Sequence, residues 1–212
     1  MKQVTLKWFF YAVLSGVLMS ACAGTQLTHS WVDESRRGKP VSDILVIGVT
    51  YKEKEAVRRS FEDRFVAQLR AVGIEAVSSE DAISIPTDLK LEKDDILKAV
   101  NKYNSDAVII THVVGKENKE AYTPAARSYG GYYGYYGLIY GNTHGPGYTR
   151  THTVVRLATN LYDVKTEKLI WSGTSETTDP GSARQGIDDV INVLIKDMQK
   201  NGLISSQQKR PK

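Results

Sequence analysis

The chain has 212 residues, 28 lysines and arginines against 24 aspartates and glutamates, and a formal charge of +4 with a pI near 9.0. So small an excess excludes a strongly basic nucleic-acid-binding surface. The single cysteine, Cys22, excludes an internal disulfide.

Lys2 and Lys7 precede an apolar stretch from Trp8 to Met19, and Ser20-Ala21 supply small residues before Cys22. Positive, apolar and small-residue parts in that order predict an export signal over residues 1–21. The apolar stretch is shorter than the ~20 residues of a membrane span. A small pair directly before a cysteine resembles the bacterial lipobox, although Met19 stands where Leu, Val or Ile is usual. That resemblance implies cleavage before Cys22 and acylation of its thiol, with palmitate among the chains, and of the new amino group. One chain binds a membrane marginally and several hold it, so the lipid bilayer is the first partner expected. Under the sorting pattern of Gram-negative lipoproteins, Ala23 rather than Asp after the cysteine implies the outer membrane, with the domain facing the periplasm; a Gram-positive host would change that address. Loss of residues 1–21 removes two lysines and no acid, leaving 191 residues with 26 basic and 24 acidic side chains. That length suits one substantial domain.

Residues 22–41 are polar, with Gly24, Gly38 and Pro40, and predict a tether or arm. Trp31 within it is expected to dock on the domain and bury its ring. Ile44 to Val49 form a β-branched run that suits a strand buried on both faces. Val57, Phe61, Phe65, Leu69 and Val72 then recur at helical spacing, with Gly73 as the stop, predicting a helix over 55–72. Ile74 to Val77 give a second short strand and close a βαβ unit. Ser78 to Pro86 look like loop, Leu91 to Tyr103 like a second helix with an acidic first turn, and Asp106 to Thr111 like another buried strand. Thr153–Tyr162 and Lys168–Thr177 alternate apolar with polar residues about a turn, predicting an antiparallel hairpin with one wet face. Trp171 is expected to pack under a helix. A last helix begins near Asp179-Pro180-Gly181-Ser182, carries Ile187, Val190, Ile191, Leu194 and Met198 as its stripe, and ends at Gly202. Residues 205–212 carry no apolar pattern and are expected to be disordered. Together these predict a single α/β domain over 42–204, a mixed sheet with a parallel βαβ start, a late antiparallel hairpin and helices packed on the sheet.

An insertion at 115–148 interrupts that domain. Its residues 122–148 hold eight of the twelve tyrosines and seven of the seventeen glycines, with no acid and one base, Arg127. Glycines without side chains build no core, so the segment is an excursion between strands, functional or of low complexity without a fixed role. Tyrosine joins a rigid ring to a polar tip, so Tyr129, Tyr132, Tyr133, Tyr135, Tyr136 and Tyr140 are the candidate contact residues for a protein, a glycan or, less well, a lipid surface. His29, His112, His144 and His152 lack metal-site spacing, and no cofactor motif is present. Nor is there a nucleophile elbow, a phosphate loop or a dinucleotide loop after the first strand. The acid pairs Glu80-Asp81 and Asp94-Asp95 suit capping and solvation.

Cys22, Trp31-Val32-Asp33, Ile44-Leu45-Val46-Ile47-Gly48, Phe61-Glu62, Asp106-Ala107-Val108, the Tyr/Gly stretch, Thr159 to Asp163 and Leu169-Ile170-Trp171-Ser172 together resemble a family of bacterial envelope lipoproteins of unknown function. More distantly, the pattern resembles the α/β module of the curli secretion lipoprotein and of the amino-terminal part of the Tol-system propeller protein. The resemblance implies a non-enzymatic binding or assembly module with an envelope protein or glycan as partner. No motif sets an oligomeric state. Two other functions fit the residues: a cell-wall or polysaccharide enzyme using buried carboxylates, and a sugar-binding module without turnover.

Overall fold

The computed structural model describes residues 24–50, 54–83, 91–124 and 147–205, and only the backbone of 120–124 and 147–150. Strand β2 (Asp43–Val49) is the element on which the fold is built. Its Ile44, Leu45, Val46 and Ile47 are at most 4% exposed. A strand with apolar side chains on both sides needs an apolar layer over each. Ile44 and Val46 pack with Phe61, Phe65 and Leu69 of helix α1 (Glu55–Ala71) and with Ile191, Leu194 and Met198 of helix α4 (Ala183–Lys200). Leu45 and Ile47 pack on the other side with Ala99 and Val100 of helix α3 (Lys93–Tyr103). The molecule is therefore a mixed α/β domain, with a six-stranded sheet between α1 and α4 on one face and α3 on the other.

The sheet order is β1-β6-β5-β4-β2-β3, formed with β1 (Gly24–Val32), β3 (Glu75–Ser78), β4 (Ala107–Pro124), β5 (Gly147–Asp163) and β6 (Leu169–Thr178). β2 is parallel to β3 and β4, as the βαβ pattern predicts, and the remaining pairs are antiparallel. Helix α1 ends where Gly73 takes a φ of 87°, and Ile74 N–H closes back on Leu69 carbonyl at 3.0 Å. The β5/β6 hairpin turns at Asp163, whose carboxylate accepts from Thr166 N–H at 2.9 Å and from its hydroxyl at 2.8 Å. Alternate burial along β6 leaves one face of that hairpin wet, as its sequence pattern requires. Ser182 caps α4 by accepting from Gln185 N–H at 3.1 Å.

Three segments differ from their sequence patterns. Residues 24–32 of the expected arm are laid along β6 as an edge strand, and Gly38 and Val41 N–H donate to Asn201 and Leu203 carbonyls. Trp31 is not buried but 46% exposed. Side chains alternate along a strand, and Val32, paired with Trp171, takes the core side. Within the expected loop after β3, Ser79–Ala82 make one helical turn, α2, with Ser78 capping Asp81 N–H. Finally, β4 runs on to Pro124 and β5 starts at Gly147, so the outer parts of the insertion are ladder. Residues 115–119 are exposed or half-buried and lack strand periodicity because pairing with β5, rather than burial, holds them there.

Trp171 lies under α4 and is fully buried, its indole N–H donating to Asp197 at 2.9 Å. Asp197 also accepts from the Ser30 hydroxyl at 2.6 Å, tying β1, β6 and α4 together. The Trp171 ring lies over Gly173, where an added Cβ would come 2.5 Å from the ring. Gly173→Ala is therefore expected to destabilise the domain by ~1–3 kcal/mol through overpacking, measured by urea denaturation. An unchanged midpoint would show that the ring is free to move.

Candidate functional site

Where β2 ends, its backbone meets a buried carboxylate. Glu62 of α1 is fully buried and lies four residues after Arg58, on the same helix face. Its oxygens accept from Gly48 N–H at 2.8 Å, from the Ser79 hydroxyl at 2.8 and 2.9 Å and from Glu80 N–H at 3.2 Å, and Arg58 Nη1 lies 3.4 Å away. Arg58 also reaches Glu80 at 2.6 Å, and Glu80 takes Arg59 as well. Gly48 permits this approach: a Cβ there would lie 3.0 Å from Arg58 Cγ and 3.3 Å from Glu62 Oε1. Burial pushes the Glu62 carboxyl above the usual carboxylate range, against the pull of Gly48 N–H, Ser79 and Arg58. With its acceptor sites occupied and no open space beside it, Glu62 locks α1 to β2 and to the turn after β3.

Beyond Gly48 the sheet continues through β4, β5 and β6, below the starts of α1 and α4. Between them opens a groove of about 470 Å³. Thr111, Val113, Val155, Leu157 and Thr177 form its floor. Val57 and Phe61 of α1 line one wall, and Ala183, Gly186, Ile187 and Val190 of α4 the other. Val49, Val57 and Val113 are 53, 43 and 38% exposed, so the apolar lining meets solvent. Lys54, His112 and Lys116 are its basic members, with Arg58 behind them, and among the described residues no aspartate or glutamate lines it. The acid pairs singled out in the sequence lie elsewhere: Glu80 binds Arg58 and Arg59, and Asp95 binds Lys98 at 3.5 Å. Hydrolysis by paired carboxylates needs two acids flanking open space, and this groove offers none.

A third feature is the extension of β4 and β5 past the rest of the sheet. The last β5 residue paired with β6 is Val154, opposite Thr178. Past it, β4 and β5 pair on without a third strand from Asn118↔Thr153 to Pro124↔Gly147, with Asp179 still bonded to Thr153 and His152 at the start. The five pairs beyond His152 carry the chain on the order of 17 Å further at ~3.4 Å per residue.

The predicted contact residues Tyr129, Tyr132, Tyr133, Tyr135, Tyr136 and Tyr140, the lipidation residue Cys22 and the tail from 206 lie outside the described residues, as does His144. His152 is paired with Asp179 at 2.5 Å, and His112 lies at the groove. No group of His, Cys, Asp and Glu able to hold a metal exists among the described residues. Periodicity does not announce the groove, because its lining comes from six elements. Its one local signal is Arg58 and Glu62 on the buried face of α1, beside a glycine ending an apolar strand.

No family model and no curated protein matches the chain. Among solved structures it is similar to the PelC dodecamer from Paraburkholderia phytofirmans, at 18% identity over 87% of this chain and 99% of that one, with a TM-score of 0.43. It is similar to lipoprotein GNA1162 from Neisseria meningitidis at 14% identity over 75% and 99%, TM-score 0.41. A minor lipoprotein from Acinetobacter baumannii shares 10% identity over 77% and 96%, TM-score 0.34. Likeness this distant carries no argument about ligand, partner or assembly.

The raised Glu62 carboxyl has a signed consequence. The folded state holds this proton to higher pH than the unfolded state, so the Glu62 contribution to stability falls as pH rises from the usual glutamate range through the raised value. Glu62→Gln is expected to remove that slope, seen as the difference from wild type in urea denaturation across the window. Glu62→Ala is expected to cost about 3 kcal/mol or more, since it strips Arg58 of a buried partner. Parallel pH profiles for wild type and Glu62→Gln would contradict the assignment.

Proposed function

We propose that the protein is a bacterial envelope lipoprotein, acylated at Cys22 and held to the outer membrane with its domain facing the periplasm. In that position it acts as a non-enzymatic binding or assembly module. The contact element is the β4/β5 ribbon with the segment it carries, including Tyr129, Tyr132, Tyr133, Tyr135, Tyr136 and Tyr140. The export signal and the small pair before Cys22 support the anchor.

The observation that carries the contact assignment is the backbone of the ribbon's outer part. Its five pairs from Glu120↔Thr151 to Pro124↔Gly147 have no third strand beside them. A lone two-stranded ribbon is marginal in water by itself, so a partner gains from it what the domain does not. Tyrosine-rich segments give large rigid contact area at low entropic cost. Recruitment is favoured over turnover because no acid lines the groove among the described residues and Glu62 is sealed.

Replacing residues 125–146 by Asn-Gly, a turn that joins adjacent strands, is expected to leave the thermal midpoint nearly unchanged. It is expected to abolish capture of envelope partners in a crosslinking pull-down from gently solubilised membranes. Capture that survives the replacement removes the contact assignment. Retention on isolated glycans that depends on Tyr132 and Tyr135 would make the partner a sugar.

A further inference from the structure

We propose that the groove between α1 and α4 takes one fatty acyl chain whose anionic head group is met by Lys54 and Lys116. The backbone argues for an alkyl occupant. Along the floor β5 and β6 have neighbours on both sides, and β4 has β2 beside it as far as His112. Only the short stretch of β4 past His112 leaves ladder groups without a strand beside them, so most of the floor offers no edge to which a peptide strand could bond. An alkyl chain needs no such partners and gains from covering Val49, Val57 and Val113, which stand open to water.

Size and charge agree. A cavity of about 470 Å³ holds on the order of fifteen methylene-sized groups at the ~30 Å³ share of a liquid water molecule. That matches one long chain rather than two. With lysines at the rim and no acid among the described residues of the lining, the head group is an anion. The bilayer is the source to which the geometry points. Gly24 pairs with Thr178, and the Thr25 hydroxyl lies 2.8 Å from that of Thr177 in the groove floor, so β1 begins at the groove's end of the sheet, two residues after Cys22. This last clause alone rests on the proposed anchor.

The test is photolabelling of the full-length protein in vesicles of phosphatidylethanolamine and phosphatidylglycerol, with a diazirine analogue of palmitate and adducts mapped by mass spectrometry. Adducts are expected on groove residues of α1, β5 and α4. The double variant Val57→Trp, Val113→Trp fills the groove from exposed positions, so circular dichroism should match wild type while labelling falls about tenfold. The methyl ester of the probe should label about fivefold less than the acid, a preference that Lys54→Glu with Lys116→Glu should abolish. Adducts spread over the whole surface, or undiminished in the tryptophan variant, overturn the acyl site. Equal labelling by acid and ester overturns the anionic head group. Cys22→Ser separates the two proposals: groove labelling that persists in a protein released from vesicles keeps the acyl site and removes the anchor.

Discussion

Burial of β2 on both faces is the constraint from which the architecture follows. Ile44, Leu45, Val46 and Ile47 present apolar side chains alternately up and down, and neither set is tolerable in water. One layer cannot satisfy both. The chain supplies α1 and α4 on one side and α3 on the other, and parallel partners β3 and β4 flank the strand so that its own amides are paired. Trp171, anchored on Asp197, extends the first layer towards β1 and holds the far side of the sheet to α4.

The same constraint explains why a groove exists and where it lies. The double burial stops at Gly48, because Glu62 and Arg58 occupy the space where a side chain would stand. Past that point β4 and β5 continue without β2, so the helices have less sheet beneath them. A largely apolar floor is left uncovered between Val57 and Phe61 of α1 and Ala183 to Val190 of α4. Glu62 sets the seat of α1 and thus the groove's wall, although it does not line the groove.

Polar chemistry is kept out of that space by pairing. Three acids close to it are committed: Glu62 to Gly48, Ser79 and Arg58, Glu80 to two arginines, and Asp179 to His152 and Thr153 N–H. A lining of aliphatic side chains, hydroxyls and bases selects ligands by shape, apolar area and negative charge. On the opposite face of β5 and β6, Arg156 joins Glu117 and Glu176, and Asn160 joins Ser172, the polar pairs of a solvated sheet face.

Local pattern in the chain determined the elements and their layering. The β-branched run at 44–49, the helical stripes at 57–72 and 187–198, the stops at Gly73 and Gly202, and the alternating hairpin arms each answer to neighbours within a few residues, and each lies where its period puts it. Tertiary structure decided what depends on distant partners. The edge pairing of residues 24–32, the exposure of Trp31, the extension of β4 to Pro124, the seat of Glu62 beneath Gly48 and the groove all come from segments far apart in the chain. A period records which side of an element is apolar; it holds no information on which other element will cover that side, or where the cover stops.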